Sequence, residues 1–447
     1  MSAFSAASTA AAAISVAAMS VAAMSVAAMS AAVAISAATA VHAVSAAEQP
    51  RTSQTVVITL VGDAGFAPNN ARVRADGVRR HGRFQGWSAT TAGIAGEVNG
   101  DLNFMNVETV VTDRNDLARD RKGQKAPFNF RTHPNGLRHL VGIGFNVLSL
   151  ANNHSMDYGL AGMKETLRHV NELRAKGIRA AAGLGMNREQ ASRPQLMRVK
   201  GNQIAFSAIG IVTNNLARHR AGAHKPGQIA YRFDDDFALS IARLARAKAA
   251  YRILSIHYGL EGQVRADGRQ FKDYRAMAVL GKGIDLVVGH HAHVVRAVEI
   301  ANGKVIFYGL GNFLHHGTAN MTQKGICKDY GLMARLYLRR GSNGHLRARA
   351  IEAIPLTNTH RKPVPLRGGK GAARIYALNY LGRKLGDGRG GKVHGVSFTP
   401  QSDGRGLYCF PGAAGDPGGI GRLCRSWRSA PPMPRRLRRR IIRSCAR

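Results

Sequence analysis

"GFNVLSLANNHSMDYGLAGMKETL", residues 144–167, changes character twice within a short length of chain. Phe145, Val147, Leu148 and Leu150 form a brief apolar run with the length of a buried strand. From Leu160 onward, Leu160, Met163, Leu167, Val170 and Leu173 recur at helical spacing, which predicts an amphipathic helix. A strand that passes directly into a helix is the unit of an α/β fold. Between the two lie Asn152, Asn153, His154 and Asp157. A turn needs one Asn or Gly, and a helix start needs one Asp or Ser. Most of this polarity is surplus to folding. Asp157 fits a helix N-cap, with a place in a site as the alternative.

The same alternation extends outward, from residue 55 to about 355. "TVVITLV" (55–61), "LNFMNVE" (102–108), "YRILSIH" (251–257) and "IDLVVGH" (284–290) read as strands, and "RARAIEAIPL" (347–356) as an alternating one. "MRVKGNQIAFSAIGIV" (197–212) is a predicted hairpin about Gly201-Asn202, and "VVRAVEIANGKVIFYGLGNF" (294–313) a second about Asn302-Gly303. "DDDFALSIARLARAKAA" (234–250) predicts a helix with acidic residues at its positive end. Gly-rich "LRGGKGAARIY" (366–376) lacks the strand-then-helix context of a phosphate loop and reads as a linker.

Five strand ends share one property. Gly62-Asp63, Asn106-Val107-Glu108, Asn152-Asn153-His154, His257 and His290-His291-Ala292-His293 each place metal-competent side chains just past an apolar run. Each has an ordinary explanation taken alone, such as a turn or a core histidine. Together they do not, because ligands of α/β sheets bind in the crevice beyond the strand ends. Carboxylate, amide and imidazole suit Mn, Fe or Zn. A pair of such ions needs a bridging carboxylate and ligands from several segments.

In these blocks the chain resembles the CapA capsule-synthesis proteins, associated with poly-γ-glutamate and related to calcineurin-like metallophosphatases. "VGD" (61–63), "NVE" (106–108), "VLSLANNHSMDYGLAGMKETL" (147–167), "IHYGLEG" (256–262) and "IDLVVGHHAHVVRAVEIANGKVIFYGLGNF" (284–313) follow the family's order over about 260 residues. The third and fifth blocks are the specific ones. The resemblance implies an α/β fold, a four-layer αββα sandwich, holding two divalent ions. Asp63 and His293 would hold one ion, Glu108 would bridge, and Asn153, His257 and His291 would hold the other. His154 would be the general acid or leaving-group stabiliser beside them, as suits a group that titrates near neutrality. Asn106, Asp157, Glu261 and His290 would support the ligands or meet substrate. Metallophosphatases carry a further His two residues past the first Asp, where this chain has Gly65; CapA proteins generally lack it too. "HWGxEY" is here His257-Tyr258-Gly259-Leu260-Glu261-Gly262, and "GHHPHV" has become "GHHAHV". Asn312 is read as structural or ligand-orienting, and His315 and His316 as surface loop.

Composition frames these readings. The 447 residues hold 64 Lys and Arg against 26 Asp and Glu, a net charge of +38. Such an excess calls for an anionic partner. Residues 411–447 contribute +9 of it, so the body is basic by itself. The expected partner is an anionic polymer or phosphoester, and the resemblance adds a membrane-associated capsule-synthesis complex; nucleic acid is not expected. Residues 1–47 carry no Asp, Glu, Lys or Arg and end near A-x-A-like cleavage sites. This segment reads as an export signal without the usual basic start. The alternatives are a membrane anchor and a low-complexity leader. Export to the periplasm or cell surface is therefore expected. The four cysteines form no C-x-x-C pair, which argues against cysteine-ligated zinc, and their pairing is open. The expected organisation is the leader (1–47), the CapA-like domain (55–360), an extension (361–410) and an Arg-rich tail (411–447). Without periodicity the tail is expected to be disordered, as a polyanion-binding segment or the product of a shifted reading frame. Two functions compete: a two-metal hydrolase acting on a phosphoester or γ-glutamyl bond, and a non-catalytic polymer-assembly or export factor.

Overall fold

The computed structural model describes residues 55–446, apart from 213, 280–282 and 389–392. The 1–47 segment, and the export or anchoring expectation with it, lies outside the described residues. The chain first lays down β1 (Thr55–Ala64), β2 (Leu102–Val107), β3 (Val147–Ser149) and β4 (Ala180–Ala182), paired in parallel. It then builds a second sheet from β5 (Gln195–Val199), β6 (Asn202–Ile209), β7 (Tyr251–His257), β8 (Leu286–His290), β9 (Val298–Ala301) and β10 (Lys304–Phe307), in the order β5-β6-β7-β8-β10-β9. Finally it returns to the first sheet with β11 (Gly331–Arg340), β12 (Leu346–Thr357) and β13 (Gly406–Cys409), giving β13-β12-β11-β1-β2-β3-β4.

The parallel strands are nearly all apolar because both of their faces are covered. Val56, Ile58, Leu60 and Phe104 of the first sheet share a core with Ile204, Phe206, Ile253 and Val288 of the second. On the outer face of the first sheet, Met105 and Leu148 pack against α1 (Pro134–Gly142) and α2 (Gly159–Arg174) through Leu137, Leu140, Met163 and Val170. On the outer face of the second, Leu254, Ile256 and Val287 meet α3 (Asp234–Arg246) and α4 (Gly268–Val279) through Leu244, Tyr274 and Met277. The expected αββα order of layers is present.

One irregularity bears on the site. The β1–β2 register runs Leu60↔Phe104 and then resumes at Asp63↔Asn106, a bulge of the kind that redirects side chains. It sets Asp63 beside the end of β2.

Several expectations need correction. The β5–β6 turn is Lys200-Gly201, one residue earlier than predicted; both residues have positive φ, 45° and 71°, as a two-residue hairpin requires. The Asn302-Gly303 turn is as expected. The supposed Gly-rich linker is the start of helix α5 (Gly368–Arg383), whose Ile375 and Leu378 enter the inter-sheet core. The extension is therefore part of the layered body, and its β13 pairs with β12. The tail is not disordered: it contains α6 (Gly418–Arg425) and α7 (Arg435–Cys445), tied down by Cys409–Cys424 and Cys327–Cys445. Ile420 and Ile441 are fully buried there. Period alone missed these helices because their anchoring is covalent and tertiary. No helix among the described residues is long and apolar enough to cross a membrane.

Candidate metal centre

Each strand end delivers its polar residues to one place. Asp63 ends β1, Glu108 follows β2, and Asn152–His154 follow β3; His257 and His290 end β7 and β8. Two carboxylates from one sheet thus face a nest of imidazoles from the other. Asp63, Asn106, Glu108, Asn152, Asp157, His257 and His290 are buried, as are His154 and His291. Asn153 and His293 are partly exposed, and Glu261 is exposed.

Asp63 is held firmly. Its Oδ1 accepts from Asn106 Nδ2 at 2.8 Å, its Oδ2 accepts from the His291 backbone N–H at 3.0 Å, and His293 Nδ1 lies 3.4 Å from Oδ2. Glu108 is the opposite. Neither of its buried oxygens receives a hydrogen bond from a described residue, and the nearest ring nitrogens are His257 Nε2, 3.3 Å from Oε1, and His315 Nε2, 3.3 Å from Oε2. Burying an anion without donors is expensive unless a cation compensates it. On the Oε1 side, His257 Nε2 lies 2.6 Å from Asn153 Oδ1 and 3.0 Å from His291 Nδ1. Glu108 therefore belongs to two ligand groups at once, with His257 and His291 on one side and with His293 and His315 on the other. Two groups sharing one carboxylate fit the donor set of a two-cation centre.

The charges follow from this crowding. Burial drives His291 well below the usual imidazole range and His290 down to about 3. Burial acts the same way on His293, but the Glu108 and Asp63 carboxylates outweigh it and push His293 up to about 10. Burial would raise Glu108, yet the surrounding imidazoles hold it well below the usual carboxylate range. A positive charge is thus favoured at His293 and disfavoured at His290 and His291. His291 and His293 also have φ of 95° and 57°, a conformation that costs energy in non-glycine residues and gathers at functional sites.

His154 forms a separate dyad. Its Nδ1 lies 2.7 Å from Asp157 Oδ2, and Lys122 forms an ion pair with the other Asp157 oxygen. The carboxylate is the best acceptor for an Nδ1 proton, which leaves Nε2 with the lone pair. Burial and then the Lys122 charge lower the His154 pKa, against the opposing pull of Asp157. The lowered pKa favours the neutral ring, and Lys122 Nζ also lies 3.2 Å from Nδ1. Asp157 does not cap the helix: α2 starts at Gly159 with Tyr158 in the cap position and no side-chain cap, while Asp157 accepts from the Phe130 N–H.

Several contributors were missed or left open. Asn152 fastens the loop, donating to Val107 O at 2.8 Å and accepting from the His154 N–H at 3.0 Å. Asn106 joins Asp63 to Asn152, whose Nδ2 reaches its Oδ1 at 3.2 Å. His290 has Nε2 2.6 Å from Ser255 Oγ, and Nδ1 2.7 Å from His257 Nδ1 and 3.6 Å from Asp63 Oδ1, so Asp63, His257 and His290 form a third group of candidate ligands. Asn312 orients His293 through Oδ1 at 2.9 Å. His315 and His316 are not surface loop; both are buried. Lys122, in a basic stretch, carried no signal of its own. A cleft of about 310 Å³, lined by Lys122, Asn153, His154, Glu261 and His291 among others, opens onto the Oε1 side.

Two facing sheets between helical layers, with histidines and carboxylates gathered across their strand ends, make an αββα sandwich with a cluster of candidate metal ligands. The chain belongs to the family described as "Bacterial capsule synthesis protein PGA_cap", which matches residues 57–316. It is similar to the PGA biosynthesis protein CapA of Bacillus subtilis, 28% identical over 262 residues, covering 59% of this chain and 63% of that one. It is also similar to a probable polyglutamine synthesis accessory protein of Mycobacterium tuberculosis, 32% identical over 221 residues, covering 47% of this chain and 55% of that one. The matches span a little over half the length of these relatives. Among solved structures, the NAD nucleotidase of Haemophilus influenzae aligns with 72% of this chain and 63% of its own, at 12% identity and a TM-score of 0.38.

Proposed function

We propose that this protein is an exported member of its family with a two-cation centre that hydrolyses a phosphoester or γ-glutamyl bond in an anionic substrate. The observation that carries the proposal is Glu108, a buried carboxylate with no hydrogen-bond donor among the described residues, flanked by imidazoles on both oxygens. Asp63 and His293 would hold one ion, Asn153, His257 and His291 the other, with Glu108 shared. When bound, such ions polarise the scissile group and acidify water; Mn, Fe and Zn all suit this donor set.

The chain's own residues supply the rest. His154 Nε2 accepts a proton at the cleft, and Asp157 fixes its ring and steadies the imidazolium that results. Lys122 pairs with Asp157 and adds positive charge at the cleft wall. A second cleft, of about 820 Å³, lined by Arg79, Arg80, His316, His360 and Arg361 among others, adds basic surface for an extended anion. Export is supported by the paired cysteines, because disulfides persist in oxidising compartments.

The test is an assay of the reconstituted protein on generic phosphodiesters and γ-glutamyl peptides. Turnover lost in His154→Ala with metal retained supports hydrolysis. Full metal occupancy without turnover on either class contradicts it and leaves an assembly or export factor.

A further inference from the structure

We propose that His315 is a metal ligand of this centre, delivered from the segment after β10 into the space that Gly65 leaves open. The inference rests on the two-cation reading above and adds a ligand to it. The His315 backbone is fixed from both sides. Asp63 N–H donates to Gly311 O at 3.0 Å, Phe313 N–H to Asp63 O at 2.9 Å and His316 N–H to Gly65 O at 2.9 Å, so residues 311–316 run beside the end of β1. The His315 N–H itself donates to Thr359 O at 2.8 Å.

The ring then occupies the volume of an absent side chain. A Cβ at position 65 would lie 2.5 Å from His315 Nε2 and less than 3.0 Å from Cε1 and Cδ2. Glycine at 65 is what admits the imidazole. Once admitted, the ring is fully buried, edge-on to His293 at 5.1 Å and to Phe130 at 5.3 Å between centroids. Neither of its nitrogens has a hydrogen-bond partner among the described residues. A structural histidine so deeply buried is normally bonded on at least one nitrogen. Nε2 instead faces Glu108 Oε2 at 3.3 Å, and Glu108, His293 and His315 offer ligand atoms within 4.8 Å of one another. His315 thus serves the Asp63–His293 ion, whereas His257 and His291 converge on the other carboxylate oxygen. His316 lines the basic cleft instead.

The test is equilibrium dialysis of the full chain against Zn²⁺ alone and against Mn²⁺ alone, read by elemental analysis. Wild type is expected to hold two ions. His315→Ala should lose one or bind it at least about 10–100-fold more weakly, and His315→Gln, which keeps the ring's approximate bulk, should do the same with an unchanged melting temperature in chelator. Gly65→His combined with His315→Ala should recover the second ion, because a ring from position 65 enters the vacated space. A His315→Gln chain that holds two ions with wild-type affinity overturns the ligand role alone. A wild-type chain that holds none overturns the two-cation reading itself.

Discussion

Glu97 and Glu108 flank the same strand, β2, and both are buried, yet their surroundings are opposite. Glu97 sits among three guanidinium groups: Arg335 donates at 2.5 Å, Arg367 at 2.6 Å and Arg405 at 3.0 and 3.2 Å. Glu352 shares Arg335 at 3.3 Å. Burial works to raise the Glu97 pKa, but the arginines outweigh it and hold the carboxyl below its ordinary value. Among the described residues, Glu108 has no arginine partner and no donated hydrogen bond, only imidazole nitrogens at 3.3 Å from each oxygen. The first acid is satisfied by arginines; the second is left to imidazoles. Imidazoles around a carboxylate, where arginines would satisfy it better, form a donor set that could hold cations.

The largest effect should come from breaking the satisfied end. Arg335→Met leaves Glu97 and Glu352 short of a partner and should cost about 3–5 kcal/mol, read by denaturant unfolding; a loss under about 1 kcal/mol would show that the cluster is not a buried network. Its pH dependence has a definite sign. Because the Glu97 pKa is lowered in the fold, its contribution is present above the ordinary value of 4.5 and fades as pH falls through the lowered one. The melting-temperature gap between wild type and Glu97→Gln should therefore be widest near neutrality and close in acid.

At the other end the compensation is weaker. Imidazoles alone hold Glu108 ionised, chiefly His257 and His293, so in chelator at neutral pH Glu108→Gln should lower the melting temperature, but by less than Arg335→Met does. A drop as large as that of Arg335→Met would mean that the chain satisfies Glu108 as fully as Glu97. His154 lies between these extremes, paired on one nitrogen only. With its pKa depressed, its neutral form persists below the ordinary histidine value of 6.5. If it acts as the base, kcat/KM should stay flat down to that value and fall only below it, and His154→Ala should lose about 10²–10⁴-fold in turnover. An acid limb above 6.5 would assign the proton transfer elsewhere. The smallest effect belongs to Asn312→Ala, which frees the His293 ring from one hydrogen bond and should weaken binding of one ion by about 10-fold. Unchanged affinity would leave Asn312 purely structural.

Much of this was legible in the sequence, for physical reasons. Buried parallel strands must be apolar through their length, so polar clusters at their ends stand out, and those clusters named Asp63, Glu108, Asn153, His257, His291 and His293. What sequence reading missed depends on long-range placement. His315 looks like loop because the pairing that buries it lies some 250 residues away in the chain, against Gly65. Lys122 is one cation among many basic neighbours. Local spacing favours Asp157 as a cap over a place in a site, but the Phe130 N–H and Lys122 claim its side chain. The tail helices are held by disulfides and by single buried residues, Ile420 and Ile441, neither of which makes a periodic signal.

The central claim is that Glu108 bridges two cations. It is tested most directly by metal stoichiometry on the chelator-stripped, reconstituted chain, wild type beside Glu108→Gln. The account predicts two transition-metal ions in wild type and the loss of both from tight binding in the variant. A wild-type chain that takes up none, or a Glu108→Gln chain that keeps two, would contradict it.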